Sequence, residues 1–169
     1  MLPEAPRLLF REFRDSDLTL LAGLLADPMV MRYSWQGPRD MAGSRQVLAG
    51  FQRTYRELGF GKWALFLRDT GEFVGYCGLE RSLAVGVTEI ELGYRLLPIY
   101  WGQGLAAEAV QAAVQHAFAV AHLPHVTAFL EPDNGASVRV LEKTGFRRVD
   151  SGVVMGGKTM DVYRRFAPP

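Results

Sequence analysis

The chain has 169 residues, a formal net charge of +1 and 49% hydrophobic residues, which is typical of one globular domain with a sizeable core. The near-neutral charge and the lack of a basic run argue against nucleic acid or a membrane as a partner. Since no apolar run approaches bilayer length and no signal-peptide pattern opens the chain, we expect a single cytoplasmic domain over residues 1–169.

The first third of the chain predicts a strand and two helices. Residues 7–13 show a short strand pattern, and residues 15–26 a helix pattern that Asp27-Pro28 ends. A loop over residues 34–39 overlaps the start of a second helix, predicted over residues 38–58.

Three strands are predicted next. Residues 62–68 and 72–80 flank Asp69-Thr70-Gly71, which is typical of a hairpin. A third strand pattern then ends before Pro98. Two sets of residues alternate in this segment, as expected for a strand with one apolar and one polar face. The apolar face contains Thr88, Ile90, Leu92, Tyr94 and Leu96, and the polar face contains Glu89, Glu91, Gly93 and Arg95.

Two glycines precede a long amphipathic helix. Small and apolar residues recur there at three- and four-residue intervals: Ala106, Ala109, Val110, Ala113, Val114, Ala117, Phe118 and Ala121. The first turn of a helix has unpaired N–H groups and a positive dipole end, so amides from Gly102 to Ala107 can hold a phosphate. A simple connecting turn has the same short pattern, and the glycines alone leave both interpretations open.

The remaining elements are a strand, a helix and a final pair of strands, predicted over residues 126–131, 134–144, 146–150 and 158–166. Cys77 is the single cysteine of the sequence, so an internal disulfide is excluded, and we expect it to be a small, buried hydrophobic residue. No metal is expected, because the histidines lack ligand spacing with carboxylates or cysteine.

Three segments together resemble the GNAT N-acetyltransferase superfamily, in particular its RimJ/RimL-like branch. They are PRLLFREFRDSDLTLLAGLLADPMVMRY, ELGYRLLPIYWGQGLAAEA and EPDNGASVRVLEKTGF, in the expected order. The resemblance implies an α/β (α+β) fold with a mixed, twisted sheet of about seven strands flanked by about four helices. The third predicted strand and the strand after the long helix would splay apart, with acetyl-CoA between them.

The resemblance also implies the cofactor contacts. The backbone of Leu96 and Leu97 would bond the pantetheine arm, and Asn134 would contact it, cap the following helix, or do both. The pyrophosphate would meet the loop of Trp101, Gly102, Gln103, Gly104, Leu105, Ala106 and Ala107. Trp101 replaces the family's Gln/Arg, which puts one polar phosphate contact in doubt.

Transfer of an acetyl group to an amine needs a base for the ammonium and a donor for the departing thiolate. Glu89 and Glu91 share the polar strand face, about 7 Å apart, and we favour Glu91 as the base. The alternative is that both are solvated strand residues, paired with Arg95.

For the acid, the family's usual tyrosine is replaced by Leu141, and Ser137 lies one turn earlier on the same face. A helix serine without a catalytic role is the alternative. Tyr94, Tyr100 and Tyr163 are further candidate donors that the sequence does not rank.

The acceptor pocket is predicted in the loops, with Tyr33, Trp35, Phe60 and Trp63 as its lining; packing in the core is the alternative for these aromatics. The predicted function is direct transfer from acetyl-CoA to a primary amine, first a protein N-terminal α-amine such as that of a ribosomal protein. Alternatives are a small amine (polyamine, aminoglycoside or amino acid) and a non-catalytic acyl-CoA sensor. A homodimer is plausible, and a Rossmann-type dinucleotide site is disfavoured because the third glycine is missing.

Overall fold

The computed structural model describes residues 1–82 and 89–169. Seven strands form one mixed sheet in the order β1-β2-β3-β4-β5-β7-β6. The strands are β1 (Leu8–Arg11), β2 (Lys62–Leu67), β3 (Phe73–Arg81), β4 (Ile90–Leu96), β5 (His125–Leu130), β6 (Arg147–Met155) and β7 (Lys158–Phe166). The prediction of a mixed sheet of about seven strands is confirmed. Thr88, the first residue of the predicted alternation, lies outside the described residues.

Four α-helices flank the sheet: α1 (Leu18–Ala26), α2 (Met41–Leu58), α3 (Leu105–Ala119) and α4 (Gly135–Lys143). Helix α2 begins later than predicted. Asp40 caps it by accepting a hydrogen bond from the Gly43 N–H at 2.7 Å, so Pro38 remains in the preceding loop. In the described part of the chain, no helix is long and apolar enough to cross a membrane.

The sheet has a hydrophobic cluster on each face. One cluster joins the sheet to α3 and contains the buried side chains of Trp63, Leu65, Cys77 and Leu92. The other joins the sheet to α1 and α2, and includes Leu21, Phe51 and Tyr76. Because successive strand residues point to opposite faces, β2 sends Trp63 to the α3 side.

The two halves of the sheet meet at β4 and β5, the parallel pair in the middle. The register joins these strands at one position, Glu91 with Thr127, whereas β3 and β4 pair from Gly75–Leu96 to Arg81–Ile90. The strands therefore diverge beyond Glu91, toward the carboxyl end of β4, and leave a gap between them.

Candidate acetyl-CoA and acceptor site

The loop before α3 presents backbone amides at the end of this gap. Gly102 and Gly104 have φ of 73° and 76°, the left-handed region in which other residues are strained. Helix hydrogen bonding starts with the Glu108 N–H, which donates to the Gly104 carbonyl at 3.1 Å. Among the described residues, the amides from Gly102 to Ala107 find no acceptor. The loop has the geometry of an anion site.

An ion pair from the residue before β1 supports this loop. The Arg7 Nε donates to Glu108 Oε2 at 2.7 Å, and its Nη1 donates to the Gln103 carbonyl at 3.0 Å. The pair fixes one side of the loop, and the sequence offered no signal for it because Arg7 and Glu108 are 101 positions apart.

The backbone of β4 has one free edge. The Leu97 N–H donates to the Val74 carbonyl at 2.9 Å, so the odd-numbered residues bond to β3 and the even-numbered ones point toward β5. Past the pairing at Glu91, the backbone groups of Tyr94 and Leu96 therefore face the gap.

This geometry corrects the predicted pantetheine contacts. The Leu97 N–H is already used by β3, and the Leu97 carbonyl accepts from the Tyr100 N–H at 3.0 Å. The Leu96 carbonyl accepts from Trp101 Nε1 at 2.8 Å. Trp101 thus holds the chain after β4. The backbone groups that remain free to bond a pantetheine arm are those of Tyr94 and the Leu96 N–H, and not those of Leu97.

A buried hydroxyl group lies beside the gap. The Tyr94 hydroxyl has no hydrogen-bond partner among the described residues. Burial raises the pKa of Tyr94 to about 12, and the nearby Ser137 side chain offsets part of the rise without reaching hydrogen-bond geometry. Tyr94 therefore stays protonated and can donate a proton.

Helix α4 brings Ser137 to this position. Asn134 is its N-cap, and the Asn134 side-chain oxygen accepts from the Ser137 N–H at 3.3 Å. The structure thus contains the helix cap that was predicted for Asn134. Leu141, one turn further on, is fully buried in the core.

The other candidate donors lie in less suitable surroundings. The Tyr100 hydroxyl bonds Glu72 at 3.4 Å on the surface, and Tyr163 packs into the α3-side core. Of these three tyrosines, Tyr94 has the buried hydroxyl without a partner among the described residues.

Glu91 lies on the opposite face of β4 and has an unusual environment. Burial raises the pKa of this carboxyl group; Lys62 opposes the rise, Glu80 adds to it, and Ser82 and Arg95 lower the pKa. A carboxylate with a raised pKa accepts protons more readily near neutral pH.

Glu89 is held by other groups. Its carboxylate accepts hydrogen bonds from Arg164 Nη2 and Thr127 Oγ1, and His125 Nε2 lies 4.0 Å away. The predicted alternative for Glu89, pairing with Arg95, is wrong: the Arg95 Nη1 donates to the Tyr76 hydroxyl at 2.6 Å. The ion pair with Arg164 makes Glu89 a poor base.

The four aromatics predicted to line an acceptor pocket separate into two pairs. Trp63 is 1% exposed and packs edge-on against His116, and Phe60 is 8% exposed in the same cluster. Their side chains are in the core, so the pocket assignment is corrected for these two.

Tyr33 and Trp35 occupy the loop between α1 and α2. The Tyr33 hydroxyl donates to the Asp133 carbonyl at 3.4 Å. Trp35 lies against the β6–β7 turn, where a Cβ added to Gly156 would come within 2.6 Å of the indole. Both contacts join this loop to elements on the far side of the β4–β5 gap.

A cavity of about 280 Å³ lies beside Glu89 and was missed by the sequence interpretation. Its lining combines the Glu89–Arg164 ion pair with Asp150 and apolar side chains, namely Phe129, Val149, Val153 and Val162. These residues come from three strands and the segment before β4, and no local pattern in the sequence joins them.

The remaining cysteine and histidine predictions concern structural residues. Cys77 is fully buried, and burial raises the pKa of its thiol to about 12, so the thiol is unreactive. Burial lowers the pKa of His116, which packs against Trp63. Within residues 1–82 and 89–169 no cluster of metal-ligating side chains is found.

Comparison with known sequences gives one family. The profile of the family described as "Acetyltransferase (GNAT) domain" matches residues 7–147. The uncharacterized protein YkkB of Bacillus subtilis is 33% identical over 160 residues, which cover 94% of this chain and 92% of YkkB. A [ribosomal protein uS5]-alanine N-acetyltransferase of Escherichia coli is 25% identical over 147 residues, which cover 84% and 76% of the two chains.

Solved structures share the fold. A GNAT-family acetyltransferase from Bacillus anthracis superposes with a TM-score of 0.82 at 26% identity and covers 98% of both chains. RimL, a ribosomal L7/L12 α-N-protein acetyltransferase in complex with CoA, superposes with a TM-score of 0.80 at 18% identity. The match covers 98% of this chain and 97% of RimL. Spermidine N-acetyltransferase from Vibrio cholerae, in complex with CoA and spermine, superposes with a TM-score of 0.74 at 17% identity. The match covers 94% of this chain and 93% of that enzyme.

Proposed function

Because this chain belongs to the GNAT acetyltransferase family, we propose that it binds acetyl-CoA at the β4–β5 gap and transfers the acetyl group directly to a primary amine. The observation that carries the proposal is the row of amides from Gly102 to Ala107, which find no partner in residues 1–82 and 89–169, at the end of the free β4 edge. These groups suit a pyrophosphate and an extended amide-containing arm. Bound acetyl-CoA supplies the thioester to the site.

The two faces of β4 divide the proton transfers. Glu91 takes a proton from the acceptor ammonium, so that the amine can attack the thioester carbonyl. On the other face, the Tyr94 hydroxyl donates to the sulfur as the carbon–sulfur bond breaks, with Ser137 beside it. Tyr94 fits this role because its hydroxyl is buried, protonated and without a partner among the described residues.

We place a protein N-terminal α-amine first among the acceptors. The support is the similarity to the E. coli enzyme that acetylates an alanine of ribosomal protein uS5. The cavity beside Glu89 has a mixed lining of charged and apolar side chains, which offers both kinds of contact to the first residue of a peptide. A small amine is the alternative, because spermidine N-acetyltransferase shares the fold.

The test is titration calorimetry with acetyl-CoA, followed on the same preparation by thiol release against N-terminal peptides and small amines. Binding with peptide-dependent thiol release supports the proposal. Release with polyamines or amino acids alone would contradict the peptide acceptor but keep the transferase. Binding without release across the panel favours the acyl-CoA sensor, and a lack of binding would overturn the assignment of the loop.

A further inference from the structure

A buried lysine lies beside Glu91 on the acceptor face of the sheet. Lys62, the first residue of β2, is 5% exposed, and its ammonium forms an ion pair with Glu80 on β3. Glu80 is in turn the direct cross-strand partner of Glu91 on β4. Three neighbouring strands thus each contribute one charged side chain to a single cluster, defined here as the Lys62–Glu80–Glu91 cluster.

The backbone is shaped to admit this lysine. A Cβ added to Gly93 would collide with the Lys62 Nζ, so the glycine leaves the space that the ammonium occupies. The ammonium also lies 5.7 Å from the centre of the Tyr76 ring. A long, charged side chain is therefore accommodated where an apolar residue would fill a strand interior more simply.

We propose that Lys62 is a positioning residue that keeps Glu91 ionised and ready to accept a proton at neutral pH, and that Glu80, which holds the lysine in place, offsets part of this effect. The proposal rests on the role of Glu91 as the base. Two carboxylates directly opposite one another resist ionising together and tend to retain a proton. An ammonium beside them removes that penalty, and Glu80 holds the ammonium in place.

Lys62 remains charged despite its burial. Burial alone would lower its pKa, but Glu80, Tyr76 and Glu91 together raise the pKa above its ordinary value. The other groups that act on Glu91 are Ser82 and Arg95, both of which favour its ionised form.

Glu89, two positions before Glu91, is already bound to Arg164 on β7. Lys62 and Glu80 therefore act on Glu91 with opposite signs: the lysine favours its ionised form and the second carboxylate disfavours it. An ion pair too far from Glu91 to act on its charge would have no such signed effect, and a buried pair is in any case weak evidence for stability.

The test is a pH titration of the side-chain carboxyl carbons of ¹³C-labelled glutamate by NMR, with the Glu91 signal assigned by its loss in Glu91→Gln. In Lys62→Met we expect the Glu91 midpoint to rise by about one pH unit or more. In Glu80→Gln we expect it to fall, because the opposing carboxylate is gone and the lysine is freed toward Glu91. A midpoint that stays in place in both variants, or moves the same way in both, overturns the proposal.

The matched control is Lys158→Met, which removes a lysine that is ion-paired with Glu131 elsewhere on the sheet. This variant should leave the Glu91 midpoint in place. If Lys62→Met does not fold, Glu80→Gln carries the test alone, with its fall as the required result. The titration needs no acceptor, so it fails independently of the proposed function, which instead fails if Glu91→Gln transfers acetyl groups at the wild-type rate.

Discussion

The two faces of β4 are built in different ways. On the acetyl-CoA side, the candidate contacts are backbone amides of a glycine loop, a free strand edge and one hydroxyl. On the acceptor side, charged side chains from three strands converge in the Lys62–Glu80–Glu91 cluster. A backbone site depends on local conformation, whereas a side-chain cluster depends on strand register. Changes to the glycine loop should therefore affect binding of the cofactor, whereas changes to the side-chain cluster should affect removal of the proton from the acceptor.

The largest effect expected on the acetyl-CoA side follows from Tyr94→Phe. Loss of the proton donor should lower kcat by about 10²-fold. The melting temperature should not fall, because the hydroxyl that is removed is buried and finds no partner among the described residues. Steady-state kinetics and thermal melting check the two parts, and Ser137→Ala should have the weaker effect on kcat. An unchanged kcat would remove Tyr94 from the mechanism.

The glycine loop should tolerate no side chain that resists a positive φ. In Gly104→Val, the strain at φ of 76° should weaken acetyl-CoA binding by about 10- to 100-fold. The matched control is Gly59→Val, since Gly59 has φ of 75° at the end of α2 and open space around it. The control should lose stability but retain its Kd, as measured by calorimetry. Equal losses of affinity in both variants would show a general effect of strain.

A smaller effect should distinguish the loop between α1 and α2 from the core. Trp35→Ala removes an indole that is 46% exposed, so stability should change little, whereas KM for the acceptor should rise about threefold to tenfold. Leu20→Ala on α1, with an exposure of 40%, is the control that should leave KM alone. A rise in the Kd of acetyl-CoA without a rise in acceptor KM would show that Trp35 contributes to the acetyl-CoA site and not to the acceptor site.

The same contrast explains how far the sequence could lead. The succession of strands and helices along the chain, the glycine loop and the cap at Asn134 were predictable because each depends on residues that are close in the chain. The preference for Glu91 over Glu89 stays a prediction, and the contact that supports it is not local in the sequence. Arg164, the group that binds Glu89, lies 75 positions away.

The errors came from register and from ambiguous residue types. Leu97 was assigned to the free edge, but one residue decides which side of a strand a backbone group faces. Phe60 and Trp63 are aromatics that occur in both pockets and cores, and the β2–β3 register was needed to place Trp63 beside Cys77 in the core. The same register brings Lys62 and Glu80 together, which composition alone does not indicate.

The most direct test of the separation between the two faces measures kcat and the Kd of acetyl-CoA for Glu91→Gln, with Glu89→Gln as the matched control. We predict that kcat falls by about 10²- to 10⁴-fold in Glu91→Gln while its Kd is unchanged. In Glu89→Gln, kcat should stay close to the wild-type value, because Arg164 and Thr127 already hold Glu89. Wild-type turnover in Glu91→Gln, or a loss of acetyl-CoA affinity as large as its loss of rate, would contradict the account.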